Sequence, residues 1–218
     1  MIPAFRWFGP GDPVPLDHIR QIPGVHGIVS ALYDVPVGDV WPLDDLAALA
    51  QTISDAGLTL EVIESIPVHE HIKLGAADRD RYIDAFCDSI RHMAKVGIRV
   101  LCYNFMPVFD WLRTDLAMRL PDGSTALAYD DRALEQIDLS AGTGTLPGWA
   151  TAYDADELAR LLASYRDLDA EQLWQNLHFF LEHVVPVAAD AGVRLAIHPD
   201  DPPWPVFGLP RIISRSLT

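Results

Sequence analysis

The 218 residues include only two cysteines, Cys87 and Cys102, and these have no paired spacing. A disulfide framework and a cysteine-built zinc site are therefore excluded. Positive charge is also scarce: 16 lysines and arginines stand against 31 acidic side chains, a formal charge of −15. Such a surface repels phosphate backbones and anionic lipid, so neither nucleic acid nor a membrane surface is an expected partner. No apolar run reaches the roughly 18 residues of a membrane span. The opening MIPAFRWFGPGDP lacks the apolar stretch of a secretory leader, so a cytoplasmic location is expected. No glycine-rich phosphate loop follows the first strand-like run, and there is no Gly-x-Ser-x-Gly elbow or metalloprotease helix motif.

Half of the chain is hydrophobic and 22% is charged, a balance typical of globular proteins and too apolar for disorder. Short apolar runs at Phe5–Phe8, Gly27–Leu32, Leu58–Ile63, Val100–Asn104 and Val193–His198 read as strands buried on both faces. Helical patterns follow them at Pro13–Ile22, Pro42–Ala56, Asp78–Val96, Asp154–Arg166 and Ala170–Ala191, the last with an expected kink or break at Pro186. Ala56-Gly57, Val96-Gly97 and Ala191-Gly192 each place a glycine where a helix ends and a strand begins. Cys87 and Cys102 fall in a buried helix and a buried strand pattern. The interval from about Pro107 to Thr151 breaks the rhythm with Asp122-Gly123, Ala141-Gly-Thr-Gly-Thr and Pro147-Gly148. It reads as an insertion after the fourth strand, a lid or a dimer arm.

Repeated strand–helix units mean an open doubly wound sheet or a (β/α)₈ barrel, and both place active sites at the carboxyl ends of the strands. Five strands are used by His198, and only 20 residues follow it. Three more units would need something like 80 to 100 residues, so the sheet is open or the barrel incomplete.

The strand ends carry the candidate chemistry. His198 ends the fifth strand and can bind a divalent metal, with a carboxylate such as Asp200 fixing its tautomer, or can simply bond loop backbone. Glu64 ends the third strand, where a buried acid needs a partner or a function; Arg6, a helix cap and catalysis are the alternatives. Asn104 can donate to a substrate hydroxyl or close its loop. Trp7, Trp111 and Trp204 suit an apolar wall or core filling, and Asp110, Arg113 and Asp115 suit a local ion-pair cluster. His69 and His71 have the spacing of one strand face, which permits metal binding, but the following Lys73 and the loop setting favour a solvated surface.

At these strand ends the chain resembles the mannonate dehydratase family. The segments are FRWFGPGDPV, IPGVHGIVSALYDVPVGDVWPL, VIESIPVHE, CYNFMPVFDW, LPDGSTALAY and AIHPDDPPWPVFGLPRI, in order over nearly the whole chain. The resemblance implies a TIM-type barrel of the xylose-isomerase-like kind, a single partial domain over residues 1–218 with about five βα units. It implies loss of water from D-mannonate to give 2-keto-3-deoxy-D-gluconate in hexuronate (glucuronate) breakdown, with Mn²⁺ or Fe²⁺ as cofactor. His198, from the HPDD motif, is the implied metal ligand; Trp7, Glu64 and Asn104 are implied pocket residues. The general base is not identified, and a homo-oligomer is one expected state. Leu112 stands where the family has threonine and His71 where it has an acid. The family's other metal ligands, a cysteine, a second histidine and an aspartate, match nothing in this chain, so it is expected to be inactive alone. The rival readings are a metal-dependent sugar isomerase or epimerase on the same barrel, and a non-catalytic interaction protein built from a truncated barrel.

Overall fold

The computed structural model describes residues 2–134 and 154–213. In chain order the elements are β1 (Ala4–Arg6), α1 (Leu16–Ile19), β2 (Gly27–Ser30), α2 (Leu43–Asp55), β3 (Thr59–Glu64), α3 (Glu70–Leu74), α4 (Arg79–Val96) and β4 (Val100–Tyr103). There follow β5 (Asp115–Arg119), β6 (Thr125–Ala128), α5 (Asp131–Leu134), α6 (Ala155–Ser164), α7 (Ala170–Ala191) and β7 (Arg194–Ile197). The chain divides into two compact units, one of Met1–Asn104 with Gln175–His198, the other of Phe105–Trp174 with Pro199–Thr218.

The first unit is an α/β structure on a wholly parallel sheet with the order β1-β2-β3-β4-β7. All five apolar runs form strands of it, and among the described residues the sheet is open, not closed into a barrel. The helices form where the capping chemistry allows. Pro42 caps α2, with Asp44 and Asp45 in the first turn near the positive end of its dipole. Leu46 and Ile53 of that helix are fully buried. On α4 the residues Ile83, Phe86, Cys87, Ile90 and Met93 form the buried stripe. Ser89 and His92 of α4 also pin the approach to α2. Ser89 Oγ accepts from the Trp41 amide at 2.9 Å, and His92 Nδ1 donates to the Trp41 carbonyl at 2.8 Å. Gly97 closes α4 at φ 93°, in the left-handed region that a side chain disfavours, and the Ile98 amide bonds back to Met93 at 3.0 Å.

Two expectations need correction here. The helix expected over Pro13–Ile22 is confined to Leu16–Ile19, because Asp12 organises the preceding loop. Its carboxylate accepts from the Phe8 amide at 2.7 Å and the Val14 amide at 2.8 Å. The break expected at Pro186 does not occur, and α7 continues through it. Pro186 and Glu182 are both exposed, so the carbonyl that loses its helical partner can turn to water.

The second unit holds a two-stranded antiparallel hairpin, β5 with β6, inside the expected insertion. Its turn is the anticipated Asp122-Gly123, where Asp122 Oδ1 accepts from the Ser124 amide at 2.9 Å. The Ala141-Gly-Thr-Gly-Thr run and Pro147-Gly148 lie outside the described residues. In the same unit Asp200 Oδ2 accepts from the amides of Ile212 and Ile213, at 2.6 and 2.7 Å. Arg211 donates to the carbonyls of Pro107 and Phe109, at 3.3 and 2.9 Å.

Candidate functional site

Strand alternation gives the sheet two unlike faces. Ile28, Ser30, Ile63, Leu101 and Tyr103 point to one side and are at most 3% exposed. Phe86 and Phe180 pack there edge-on against each other at 5.1 Å, and Phe180 lies 5.7 Å from Tyr103. The other face carries Arg6, Val29, Val62, Glu64, Val100, Cys102, Arg194 and Ala196, all half-buried or exposed, which corrects the expectation that these strands, Cys102 included, are buried on both faces. Register ties this face together: Arg6 lies beside Val29, Glu64 beside Cys102, and Cys102 beside Ala196.

The carboxyl edge of the open face is where the candidate residues gather. Arg6 Nη1 donates to Glu64 Oε2 at 2.9 Å, and the two side chains are 29% and 35% exposed. Of the alternatives for Glu64, the structure thus shows the pairing with Arg6. Arg6 Nη2 donates to the Tyr33 hydroxyl at 3.3 Å, and the guanidinium stacks over the exposed Phe8 ring at 4.8 Å. Tyr33 in turn donates to the Trp7 carbonyl at 3.4 Å, which also accepts from Ser30 Oγ at 2.8 Å. Trp7 itself is 4% exposed, and its amide extends the ladder to Val29. Cys102 faces the ion pair, and burial, with the Glu64 charge beside it, pushes its thiol up to about 11. It is a neutral thiol at ordinary pH and no nucleophile.

Asn104 and His198 follow one alternation beyond Cys102 and Ala196. The His198 amide donates to the Tyr103 carbonyl at 2.7 Å, so the β4–β7 ladder carries both residues to the strand ends, where both are half-buried. Glu64 ends β3, and Asn104 and His198 directly follow β4 and β7, so all three stand at the carboxyl ends of three adjacent strands. Among the described residues no three His, Cys, Asp or Glu side chains converge to hold a metal ion. A single imidazole does not by itself fit a tightly held divalent cation.

His69 and His71 belong elsewhere. His69 caps α3, a helix the sequence reading missed, by accepting the His71 amide on Nδ1 at 3.1 Å. Its ring stacks on Tyr82 at 3.6 Å, and burial with the His71 charge pushes its pKa down to about 4. The solvated reading of this segment is overturned at Lys73, which is 3% exposed and bonds Glu70 at 2.7 Å. Gly75, which ends α3, was the visible sign of that helix. Arg113 also departs from the local cluster expected for it, making a two-pronged bond to Asp201 at 3.1 and 2.8 Å. Trp111 and Trp204 lie in the second unit, Trp111 facing Arg113 and Trp204 facing Tyr129. The residues missed at the candidate strand-end site are Arg6 as a site element, the last residue of β1, and Tyr33, three positions past the end of β2.

The sequence profile of D-mannonate dehydratase (UxuA) matches residues 1–217. The chain is 51% identical over 211 residues to a mannonate dehydratase of Streptococcus uberis (strain ATCC BAA-854 / 0140J), covering 97% of this chain and 61% of that protein. It is 52% identical over 212 residues to mannonate dehydratase 2 of Halalkalibacterium halodurans, with the same two coverages. The crystal structure of mannonate dehydratase from Streptococcus suis serotype 2 superposes with a TM-score of 0.86 at 48% identity, over 97% of this chain and 57% of that one. The chain thus spans about three-fifths of the length of the relatives it matches. With its profile match running nearly end to end, it belongs to the D-mannonate dehydratase family.

Proposed function

We propose that the chain is the strand-end half of a hydro-lyase site that removes water from D-mannonate, giving 2-keto-3-deoxy-D-gluconate in glucuronate breakdown. The observation carrying this reading is the alignment of Glu64, Asn104 and His198 along one open carboxyl edge, in a chain of this family. In this proposal His198 contributes an imidazole to a bound Mn²⁺ or Fe²⁺. Glu64 and Asn104 hold substrate hydroxyls, and Trp7 builds the pocket floor through its backbone. The fold is a partial xylose-isomerase-like TIM-type barrel, one domain with residues 107–151 as an insertion, in a cytoplasmic enzyme that self-associates. Among the described residues too few ligands come together to hold the cation, so we expect the 218 residues to be inactive by themselves.

The test is a chimera in which residues 1–217 replace the matching part of the Streptococcus suis enzyme. With Mn²⁺ supplied, the folded chimera should form 2-keto-3-deoxy-D-gluconate from D-mannonate, and His198→Ala should lower the rate by a factor of about 100 or more. A folded, metal-loaded chimera that isomerises or epimerises the sugar acid, or leaves it unchanged, refutes the assignment. Turnover by the 218-residue chain alone would refute its expected inactivity.

A further inference from the structure

We propose that Arg6 and Tyr33 are positioning residues that hold Glu64 ready for a hydroxyl of a polyhydroxy acid. The inference rests on the strand-end reading above and adds to it two residues which that reading leaves out. Three strands are linked at their carboxyl ends by one polar chain. Ser30 Oγ and the Tyr33 hydroxyl both donate to the Trp7 carbonyl, Arg6 donates to Tyr33, and Arg6 donates to Glu64. Each link fixes the next, from the buried Ser30 outward to a carboxylate that keeps 35% of its surface exposed.

The Arg6–Glu64 contact is single-pronged: only Nη1 and Oε2 take part. That leaves Oε1 as a further acceptor, while the Nη1 contact fixes the orientation of the carboxylate. A charged, oriented acceptor suits a sugar hydroxyl, whose proton it can hold without rearranging. Phe8 and Tyr33, 59% and 49% exposed with ring centroids 6.2 Å apart, flank the same guanidinium. Their rings offer the C–H face of a polyol an apolar surface. Arg6 Nε is buried without a hydrogen-bond partner, so the guanidinium is held by its two Nη contacts and by Phe8. Tyr33 is therefore the brace that keeps Arg6 from swinging away from Glu64.

The test is D-mannonate binding to the 218-residue chain, followed by NMR titration without metal, so that neither turnover nor the cation enters the readout. Arg6→Met should weaken binding by about tenfold, the worth of one charge-assisted hydrogen bond. Arg6→Lys, which restores the charge, should recover most of it, within about threefold of the parent. Tyr33→Phe should weaken it by about threefold. Glu64→Gln combined with Arg6→Met should be no worse than the more damaging single change, because the residues act as one chain. Equal affinity of the parent and Arg6→Met chains overturns the proposal, as does a parent chain that shows no saturable binding. If the chimera fails to dehydrate while Arg6-dependent binding persists, the lyase assignment falls and the positioning role stands. An active chimera with Arg6-independent binding gives the reverse.

Discussion

Leu101 and Cys102 are neighbours on β4, yet one is fully buried under the helices and the other looks out over the open face. The same strands therefore do two jobs. On the helix side they bury Ile28, Ile63, Leu101 and Tyr103, the last against Phe86 and Phe180. On the other side they present a cation, an acid, a thiol and, past the strand ends, an amide and an imidazole. Burial is concentrated on the first face, and the proposed chemistry belongs to the second. The sharpest way to break this contrast is Leu101→Ala. Removing a side chain that is 0% exposed should cost about 2–5 kcal/mol, as buried leucine truncations do. Urea unfolding measures it, and a cost below about 1 kcal/mol would show that the helix side is not the packed one.

Much of this division could be read in the sequence, and the reasons for the gaps are specific. The strands were visible because Ile28, Ile63 and Leu101 sit in short apolar runs bounded by glycine-capped helices. The strand-end positions of His198, Glu64 and Asn104 were legible because each closes a short apolar run. The Arg6–Glu64–Tyr33 chain was not, although Arg6 was among the partners considered for Glu64. Its members are 58 and 27 positions apart, and their meeting depends on strand order and on a register shift in β2 between Ile28 and Val29. The β5–β6 hairpin showed its turn but not its strands, because every residue of Asp115–Arg119 is exposed and no buried period marks it. Of the kink or break expected at Pro186 the break does not occur, because the carbonyl of the exposed Glu182 can turn to water.

A second contrast lies in the loop after β3, where His69 is held neutral while an unfolded chain would protonate it. Burial and the neighbouring His71 depress its pKa from the ordinary 6.5 to about 4, against the opposing charges of Glu70 and Asp78. Below pH 6.5 the unfolded state binds a proton that the folded state refuses until about pH 4. Stability contributed by His69 is thus complete above that window and falls as pH drops through it. His69→Asn keeps an acceptor for the His71 amide but cannot titrate, and it loses the stack on Tyr82. The variant should be less stable than the parent at pH 7.5, with the gap narrowing toward pH 4.5. Unfolding midpoints at the two pH values measure this, and a gap that stays constant would remove His69 from the pH response.

The smallest expected effect is the most informative about the open face. Cys102→Ala removes a half-buried, neutral thiol that lies beside the Arg6–Glu64 pair without bonding it. Only part of its surface is withdrawn from water, so the cost should be about 1 kcal/mol or less, several-fold below that of Leu101→Ala. The thiol, pushed up to about 11, should also react slowly with iodoacetamide at pH 8 in the folded chain. A loss as large as that at Leu101 would mean that the face carrying Glu64 and His198 is packed over in solution. The proposed site for a sugar acid could not then lie there until that cover had moved.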